Sequence, residues 1–142
     1  KDEVGAENAY HQIRNYIQDI PSIFYYNAIC VISDLSTNKA GTITSGLDRF
    51  MEWKTKDGNY EDTAYASFET FYEGMFQKER LLDILKNFIL FSGGSNSRFK
   101  VLAGYHQYFA VRKAIEKAKV ATKTDGKDRR QGWRVLAYTG FR

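Results

Sequence analysis

Glu-Asn-Ala-Tyr-His-Gln-Ile-Arg-Asn-Tyr-Ile-Gln-Asp-Ile-Pro, residues 7–21, is the stretch that decides how the first part of this chain folds. Its apolar and aromatic side chains recur at the spacing of one helix face, which predicts a helix over Glu7–Ile20. Pro21 predicts the end of that helix, because the residue before a proline is forced out of the α region.

Short strands are predicted after this helix. Ile29–Ile32 has the pattern of a buried strand, and Ala40–Thr44 that of a second strand antiparallel to it. The polar stretch Asp34–Lys39 between them predicts a turn. A further strand or turn is expected to carry Phe50 and Trp53.

From about residue 66 the pattern becomes mainly helical, which predicts a boundary or hinge there. We expect a helix from Ala66 that breaks near Gly74, then a helix over Lys78–Phe91, a loop over 92–96 and a helix over Val101–Ala121. The stripe predicted to be buried on the second of these consists of Leu81, Leu82, Leu85, Phe88 and Ile89. A charged loop over 123–131 and a strand over 135–138 would follow. The predicted fold class is therefore α+β.

The composition excludes several classes of protein. The chain has 142 residues, 43% of them hydrophobic and 15% aromatic, which is enough for one ordinary domain and too apolar for a disordered chain. The net charge of +4 is mild, so it permits an anionic partner without requiring one. With Cys30 as the single cysteine, an internal disulfide is impossible and a reducing compartment is expected. No apolar run approaches the ~20 residues that span a bilayer, and the start at Lys1 suggests a piece of something longer.

Gln12 and Tyr16 are the first candidate site. Four residues apart on a helix, they point the same way, and both groups can donate and accept hydrogen bonds. Such a pair could hold a phosphate, a water or a neighbouring carboxylate. Judged by spacing alone, an ordinary helix surface explains them better.

Gln107 and a basic stretch are the other candidates. Gln107 lies among aromatic residues, where an amide could read the edge of a base stacked nearby, although a helix face packed on a neighbour explains the pattern better. Lys113, Lys117 and Lys119 could contact phosphates, and a solvated helix face is again the simpler reading. The two histidines, His11 and His106, have no second ligand at metal-binding spacing. Gly93-Gly94 lacks the lysine and hydroxyl residue of a phosphate loop.

Several runs in a fixed order resemble the restriction subunit of type I restriction-modification enzymes. The resemblance covers nearly the whole chain, and its specificity lies in the order of the runs. They are Gln12–Tyr16, Ile20–Asn27, Val31–Asp34, Ala40–Ser45, Phe50–Lys54, Gly74–Phe76, Glu79–Asp83, Asn87–Phe91 and Leu102–Val111.

The resemblance implies an architecture and an activity. Residues 1–65 would be the C-terminal part of a nuclease domain of the PD-(D/E)xK type, 66–100 a helical linker, and 101–142 the start of a RecA-like, helicase-like ATPase domain. The parent would be a prokaryotic, cytoplasmic, ATP-dependent type I site-specific deoxyribonuclease. It would use Mg²⁺ and ATP, and its partners would be DNA and the methylation and specificity subunits, with no membrane.

The resemblance also gives the candidate residues roles. Gln12 and Tyr16 match the Gln-xxx-Tyr element that supports this nuclease class, whose metal-binding carboxylates and catalytic lysine would lie before Lys1. Gln107 matches the glutamine expected to read adenine. No cofactor is therefore expected in this chain alone, and we expect it to be inactive by itself.

The end of the chain departs from the family. After Gln131-Gly132 the family pattern runs to Trp-His-Thr-Gln-Gly-Ser-Gly-Lys-Ser, the phosphate-binding loop, whereas this sequence continues differently. Permitted codons for Arg134–Arg142, read one nucleotide later, encode Val-Phe-Trp-His-Thr-Gln-Gly-Ser. We therefore predict a reading-frame shift near Gln131-Gly132. The alternative to the whole assignment is a non-catalytic nucleic-acid or protein-binding domain that uses the basic helix.

Overall fold

The computed structural model describes residues 5–34, 36–59, 68–94 and 97–123. The chain divides into two compact units, one ending at Tyr105 and the other beginning at His106. The predicted charged loop, the predicted strand over 135–138 and the proposed frame-shift position lie outside the described residues.

Helix α1 (Ala6–Asp19) and a three-stranded sheet form the first part of the fold. The helix ends at Asp19, just before Ile20 and Pro21, which confirms the predicted end within one residue. Pro21–Phe24 forms a 3₁₀ turn directly after it, which the sequence did not predict. Strands β1 (Cys30–Ser33), β2 (Asn38–Gly41) and β3 (Met51–Glu52) follow. They are antiparallel neighbours in the order β1-β2-β3, with Cys30 opposite Gly41 and Ala40 opposite Met51.

The predicted second strand is out of position by two to three residues. We expected Ala40–Thr44, whereas β2 begins at Asn38 and ends at Gly41. The turn before it is shortened by Asp34, whose carboxylate accepts hydrogen bonds from the Ser36 and Thr37 amides at 2.8 and 2.5 Å. After Gly41 the chain turns again, and the Ser45 amide donates to the Thr42 carbonyl at 3.0 Å.

Helix α1 packs on one face of this sheet. Ala6, Cys30, Ile32 and Phe50 form the buried cluster, and Tyr10 and Ile13 of α1 pack against it. The Ala6 amide donates to the second Asp34 oxygen at 3.0 Å, which ties the start of the helix to the β1–β2 turn. Burial of four apolar side chains in one place accounts for the position of the helix.

Helix α2 (Phe68–Met75) packs near β2 through very close contacts. A Cβ at Gly74 would lie 2.4 Å from Cδ1 of Trp53, so glycine allows the helix to approach the indole ring. Lys56 contacts both Glu69 and Glu73 at 2.6 Å, and these hydrogen bonds raise its pKa to about 12. The predicted helix is confirmed from Phe68 onward, as is its break near Gly74, while its predicted start at Ala66 lies outside the described residues.

Helix α3 (Lys78–Asn87) is shorter than predicted, and the prediction was wrong in two respects. The stretch after it forms β4 (Ile89–Ser92), which pairs with β5 (Phe99–Leu102) in an antiparallel hairpin. The buried stripe was also only partly right: Phe88 is buried as predicted, but Leu82 and Leu85 are 58% and 39% exposed, and Ile84, which is 1% exposed, is buried instead. Ile89–Ser92 continues the helical spacing of apolar residues but forms a strand, because its partner Phe99–Leu102 lies ten residues later in the sequence. Pairing with that strand satisfies the backbone groups that a helix would otherwise satisfy.

Helix α4 (Tyr105–Lys123) is the last described element. It was expected to begin at Val101, but Val101 and Leu102 belong to β5. None of the helices within the described residues combines the length and the apolar character that crossing a bilayer would need. The chain is thus α+β, as predicted.

Candidate functional site

Gln12 and Tyr16 lie on the exposed surface of α1 and contact each other. The Gln12 amide nitrogen Nε2 donates a hydrogen bond of 2.7 Å to the Tyr16 hydroxyl oxygen Oη. Both residues are exposed, Tyr16 to 42%. The predicted placement, with both side chains on one side of one helix and Pro21 just beyond its end, is confirmed.

The helix holds this pair at a defined angle to the core. At about 100° per residue, Gln12 and Tyr16 project roughly a quarter turn from the line through Ala6 and Ile13 that packs on the sheet. Arg14 points elsewhere, and its guanidinium donates to the Ile43 carbonyl at 3.2 Å. The pair therefore faces outward while its helix is anchored on two sides.

The hydrogen bond determines which groups of Gln12 and Tyr16 remain available to a further partner. Because Tyr16 Oη accepts from Gln12, the phenol keeps its own proton for a second partner. The Gln12 carbonyl oxygen Oε1 remains as an acceptor. The pair can thus offer one donor and one acceptor to a phosphate oxygen or an ordered water, and its geometry is already formed.

Gln107 lies in the first turn of α4, where its side chain is exposed. A glutamine amide at an exposed helix start can form two hydrogen bonds to a planar ligand. The helical context predicted for Gln107 is therefore observed, and its role as an adenine contact stays a prediction.

Lys113, Lys117 and Lys119 are all exposed on α4. Lys113 and Lys117 are one turn apart and project to the same side, whereas Lys119 projects about 120° away from Lys113. A single phosphate backbone running along one side of the helix would therefore meet the first two lysines. The stretch is not one continuous basic stripe.

A set of contacts that the sequence did not predict joins the three-stranded sheet to the hairpin. The Thr42 hydroxyl donates to the Lys100 carbonyl at 2.7 Å, and the Lys100 amide donates to the Thr44 hydroxyl oxygen at 2.8 Å. The Lys100 amino group donates to the Asn27 carbonyl at 2.6 Å. We call Thr42, Thr44 and Lys100 the threonine clamp. Its only sequence signal is the presence of two threonines two positions apart.

Comparison with known proteins identifies three relatives of this chain. No protein-family model matches the chain. The HindI endonuclease subunit of a type I restriction enzyme from Haemophilus influenzae is 32% identical over an alignment of 128 positions that covers 87% of this chain. The chain is homologous to type I restriction endonuclease subunits. Two proteins of Methanocaldococcus jannaschii described as putative type I restriction enzyme endonuclease subunits, MjaIXP and MjaVIIIP, are 29% and 30% identical over 82% and 78% of the chain.

The matched region is a small part of these relatives. The chain spans about 10–12% of the length of each. The resemblance to type I restriction endonuclease subunits inferred from the sequence is thereby confirmed. What a complete restriction endonuclease subunit does is a separate matter, because most of its length has no counterpart here.

The described residues do not by themselves fit the Mg²⁺ that a restriction endonuclease implies. Magnesium prefers oxygen ligands, usually carboxylates, and Gln12 and Tyr16 provide an amide and a phenol. No group of three or more His, Cys, Asp or Glu side chains that could hold a metal occurs within the described part of the chain. Gln12 and Tyr16 therefore do not form a magnesium site by themselves.

Proposed function

We propose that this chain is a segment of the endonuclease subunit of a type I restriction enzyme and that α1 is the supporting helix of its nuclease domain. The observation that carries the proposal is the 2.7 Å hydrogen bond from Gln12 to Tyr16 on an exposed helix surface. Homology to three endonuclease subunits supports it. The nuclease domain would be of the PD-(D/E)xK type.

In the proposed subunit, the pair positions the reacting groups. The Tyr16 hydroxyl donates a hydrogen bond to a phosphate oxygen or to a water, and Gln12 holds the phenol in place. Carboxylates from elsewhere in the subunit would hold Mg²⁺, which would supply the metal-assisted hydrolysis of a phosphodiester bond. Neither Gln12 nor Tyr16 needs to change protonation state for this role.

The rest of the proposal concerns the complete subunit. Residues 66–100 would link the nuclease domain to a RecA-like motor lobe that α4 opens, with Gln107 as an adenine contact. The subunit would translocate DNA at the expense of ATP and cut both strands. It would act with methylation and specificity subunits in the prokaryotic cytoplasm.

The test is a pair of substitutions in the complete subunit assembled with its partners. Gln12→Ala and Tyr16→Phe should each lower the rate of DNA cleavage about 10- to 100-fold, which is typical when a group that orients a catalytic ligand is lost. ATP hydrolysis should stay unchanged, because the motor is a different site. Asn15→Ala is the matched control on the same helix. Cleavage at the wild-type rate in both Gln12→Ala and Tyr16→Phe would refute the assignment.

The alternative function is nucleic-acid binding by the basic helix without catalysis. The exposure of Lys113 and Lys117 on one side of α4 is the observation that favours it. Under this alternative the isolated chain would bind DNA with a clear salt dependence. Under the main proposal, cleavage in the complete subunit would depend on α1.

A further inference from the structure

The β4–β5 hairpin has two outer edges. Among the described residues, outward hydrogen bonds of the backbone are found on the β5 edge. On the β5 side, the threonine clamp takes up both backbone groups of Lys100. On the β4 side, no strand pairs with the hairpin among the described residues, since its sheet has the order β4-β5. The two edges of the same hairpin therefore differ in how their backbone is satisfied.

The register identifies which groups lie on the β4 edge. In antiparallel pairs, residues alternate between those that bond across the pair and those that point away from it. Lys100 is opposite Phe91 and bonds outward to the clamp, so Phe91 also directs its N–H and C=O outward. The 3.0 Å bond from the Ala103 amide to the Phe88 carbonyl agrees with this alternation. By the same period of two, Ile89 presents its peptide groups on the same outer edge.

The side chains around this edge are apolar and exposed. Leu90 is 64% exposed and Phe91 is 70% exposed, and across the hairpin Phe99 and Val101 are 51% and 45% exposed. Exposed edge strands are usually protected by a charge, a proline or a bulge. Ile89–Ser92 contains no charged residue and no proline. An unprotected apolar edge is characteristic of a strand that another strand covers.

We infer that the outer edge of β4 receives a further β-strand from another part of the same restriction endonuclease subunit. This inference rests on the proposed function. The relatives are about eight to ten times longer than the matched stretch, so most of the polypeptide is available as a source. A four-residue edge is too small for a stable contact between separate molecules, which usually bury ~1,200 Å² or more. A strand of the same polypeptide avoids the entropy cost of association.

The chemistry of the incoming strand follows from the edge. It must place a backbone acceptor and donor opposite the outward groups of Ile89 and Phe91. Because side chains of neighbouring strands align in rows, it must also place an apolar side chain beside Leu90 and Val101. The hairpin would then become the middle of a sheet whose other side is held by the threonine clamp.

The experiment measures hydrogen exchange at individual amides, first in this chain and then in the complete subunit. In both proteins the Leu90 amide should be protected, because it bonds to β5. The Ile89 and Phe91 amides should exchange fast in the isolated chain and about tenfold or more slowly in the complete subunit. Equal, fast exchange of these two amides in both proteins would overturn the inference.

A substitution tests the same edge from the other direction. Phe91→Pro removes an outward N–H that β5 does not use, and prolines are tolerated at such edge positions. Phe91→Ala is the matched control, since it removes the ring and keeps the N–H. In the complete subunit, Phe91→Pro should abolish the protection of the Ile89 amide, whereas Phe91→Ala should preserve most of it.

The remaining outcomes are also decisive. The isolated chain could associate with itself in sedimentation experiments and lose that association in Phe91→Pro. If the complete subunit then also shows no added protection of the Ile89 and Phe91 amides, the edge binds a second copy of the chain and the inference is wrong. Normal cleavage by the Gln12→Ala and Tyr16→Phe subunits together with protected Ile89 and Phe91 amides would refute the proposed nuclease role while leaving the strand addition intact.

Discussion

Gly74→Ala is a perturbation of one methyl group at the closest contact between α2 and the segment after β3. The added Cβ would lie 2.4 Å from Trp53 Cδ1, 2.7 Å from Trp53 Nε1 and 2.6 Å from the Thr55 carbonyl oxygen. Ordinary contacts between carbon atoms are about 3.5–4.0 Å. Relief therefore requires the helix or the indole to move by more than an ångström. Trp53 is 3% exposed and Thr55 presents a backbone atom, so neither can simply swing into solvent.

The expected cost can be estimated from two opposing effects. Forcing a group into a filled core costs about 1–3 kcal/mol. Alanine gains up to about 1 kcal/mol over glycine inside a helix, but less near a helix end. Gly74 is the next-to-last residue of α2, so the gain is at the low end. We expect a net loss of about 2 kcal/mol in the free energy of unfolding.

Urea unfolding of the chain, followed by circular dichroism and tryptophan fluorescence, measures this loss. The midpoint should fall while the slope with denaturant stays constant, because the surface exposed on unfolding is unchanged. Gly94→Ala is the control, since a Cβ there meets nothing within 4 Å. If Gly74→Ala unfolds within about 0.5 kcal/mol of the wild type, as surface changes do, the packing of α2 on Trp53 is wrong.

Three further predictions concern the clamp, the β1–β2 turn and the basic helix. Thr42→Val should lower the free energy of unfolding by about 1–2 kcal/mol, because it removes a buried hydroxyl bonded to the hairpin; denaturant unfolding measures this against Thr37→Val, and no change would show that the clamp is not formed. Hydrogen bonds from the Thr37 amide first, and then from Ser36 and Ala6, hold the pKa of Asp34 at about 2, below its ordinary value of 3.8. The ionised Asp34 should thus stabilise the fold fully above about pH 4. This contribution should be lost as the pH falls from 4 through 2, and Asp34→Asn should flatten that part of the stability profile; a profile of the same shape in Asp34→Asn would contradict the assignment. Under the alternative function, the isolated chain binds DNA, and the logarithm of its affinity falls linearly with the logarithm of the salt concentration. Replacing Lys113 and Lys117 together by Gln should reduce that slope by about two, whereas Lys119→Gln alone should reduce it by at most about one. Equal effects would contradict the geometry of α4.

The elements that local rules determine were predictable. Helix α1 was predicted within about a residue at each end, because its periodicity and Pro21 are local signals. The break between α2 and α3 was predicted from Gly74 for the same reason. The structure adds that Gly74 is also required by the approach of Trp53, and no local pattern could reveal that contact.

The end of α3 was predicted wrongly because the deciding interaction is not local. Phe88–Phe91 continues the helical spacing, yet Ile89–Ser92 pairs with Phe99–Leu102 instead. The predicted stripe also joined Phe88, which is buried, to Leu82, which is exposed, because Leu82 and Ile84 are equally apolar. Which of two apolar faces is buried depends on what lies opposite, and here Ile84 and Phe88 are the buried residues.

The candidate site also combines features that local sequence predicts with features that it does not. The i, i+4 spacing predicted that Gln12 and Tyr16 share one side of a helix, and their hydrogen bond follows from that spacing. Their proposed role came from the family resemblance, because a two-residue pattern has little information by itself. The threonine clamp joins residues 56 to 58 positions apart, so the sequence offered only the threonine spacing as a hint.

Exposed apolar and aromatic side chains lie beside the Gln12–Tyr16 pair and would affect its surroundings in the proposed subunit. Past the end of α1 the chain exposes Ile20, Ile23, Tyr25 and Tyr26, the last of them completely. Single exposed apolar residues are common, but a continuous group of them next to a polar pair favours a surface that is covered in the complete protein. In the proposed subunit, that cover would leave Gln12 and Tyr16 at the border between a packed interface and the substrate. A hydrogen bond at such a border is stronger than one in water, because the local dielectric is lower. The same bond that is exposed in this segment would then be rigid enough to position a reacting group.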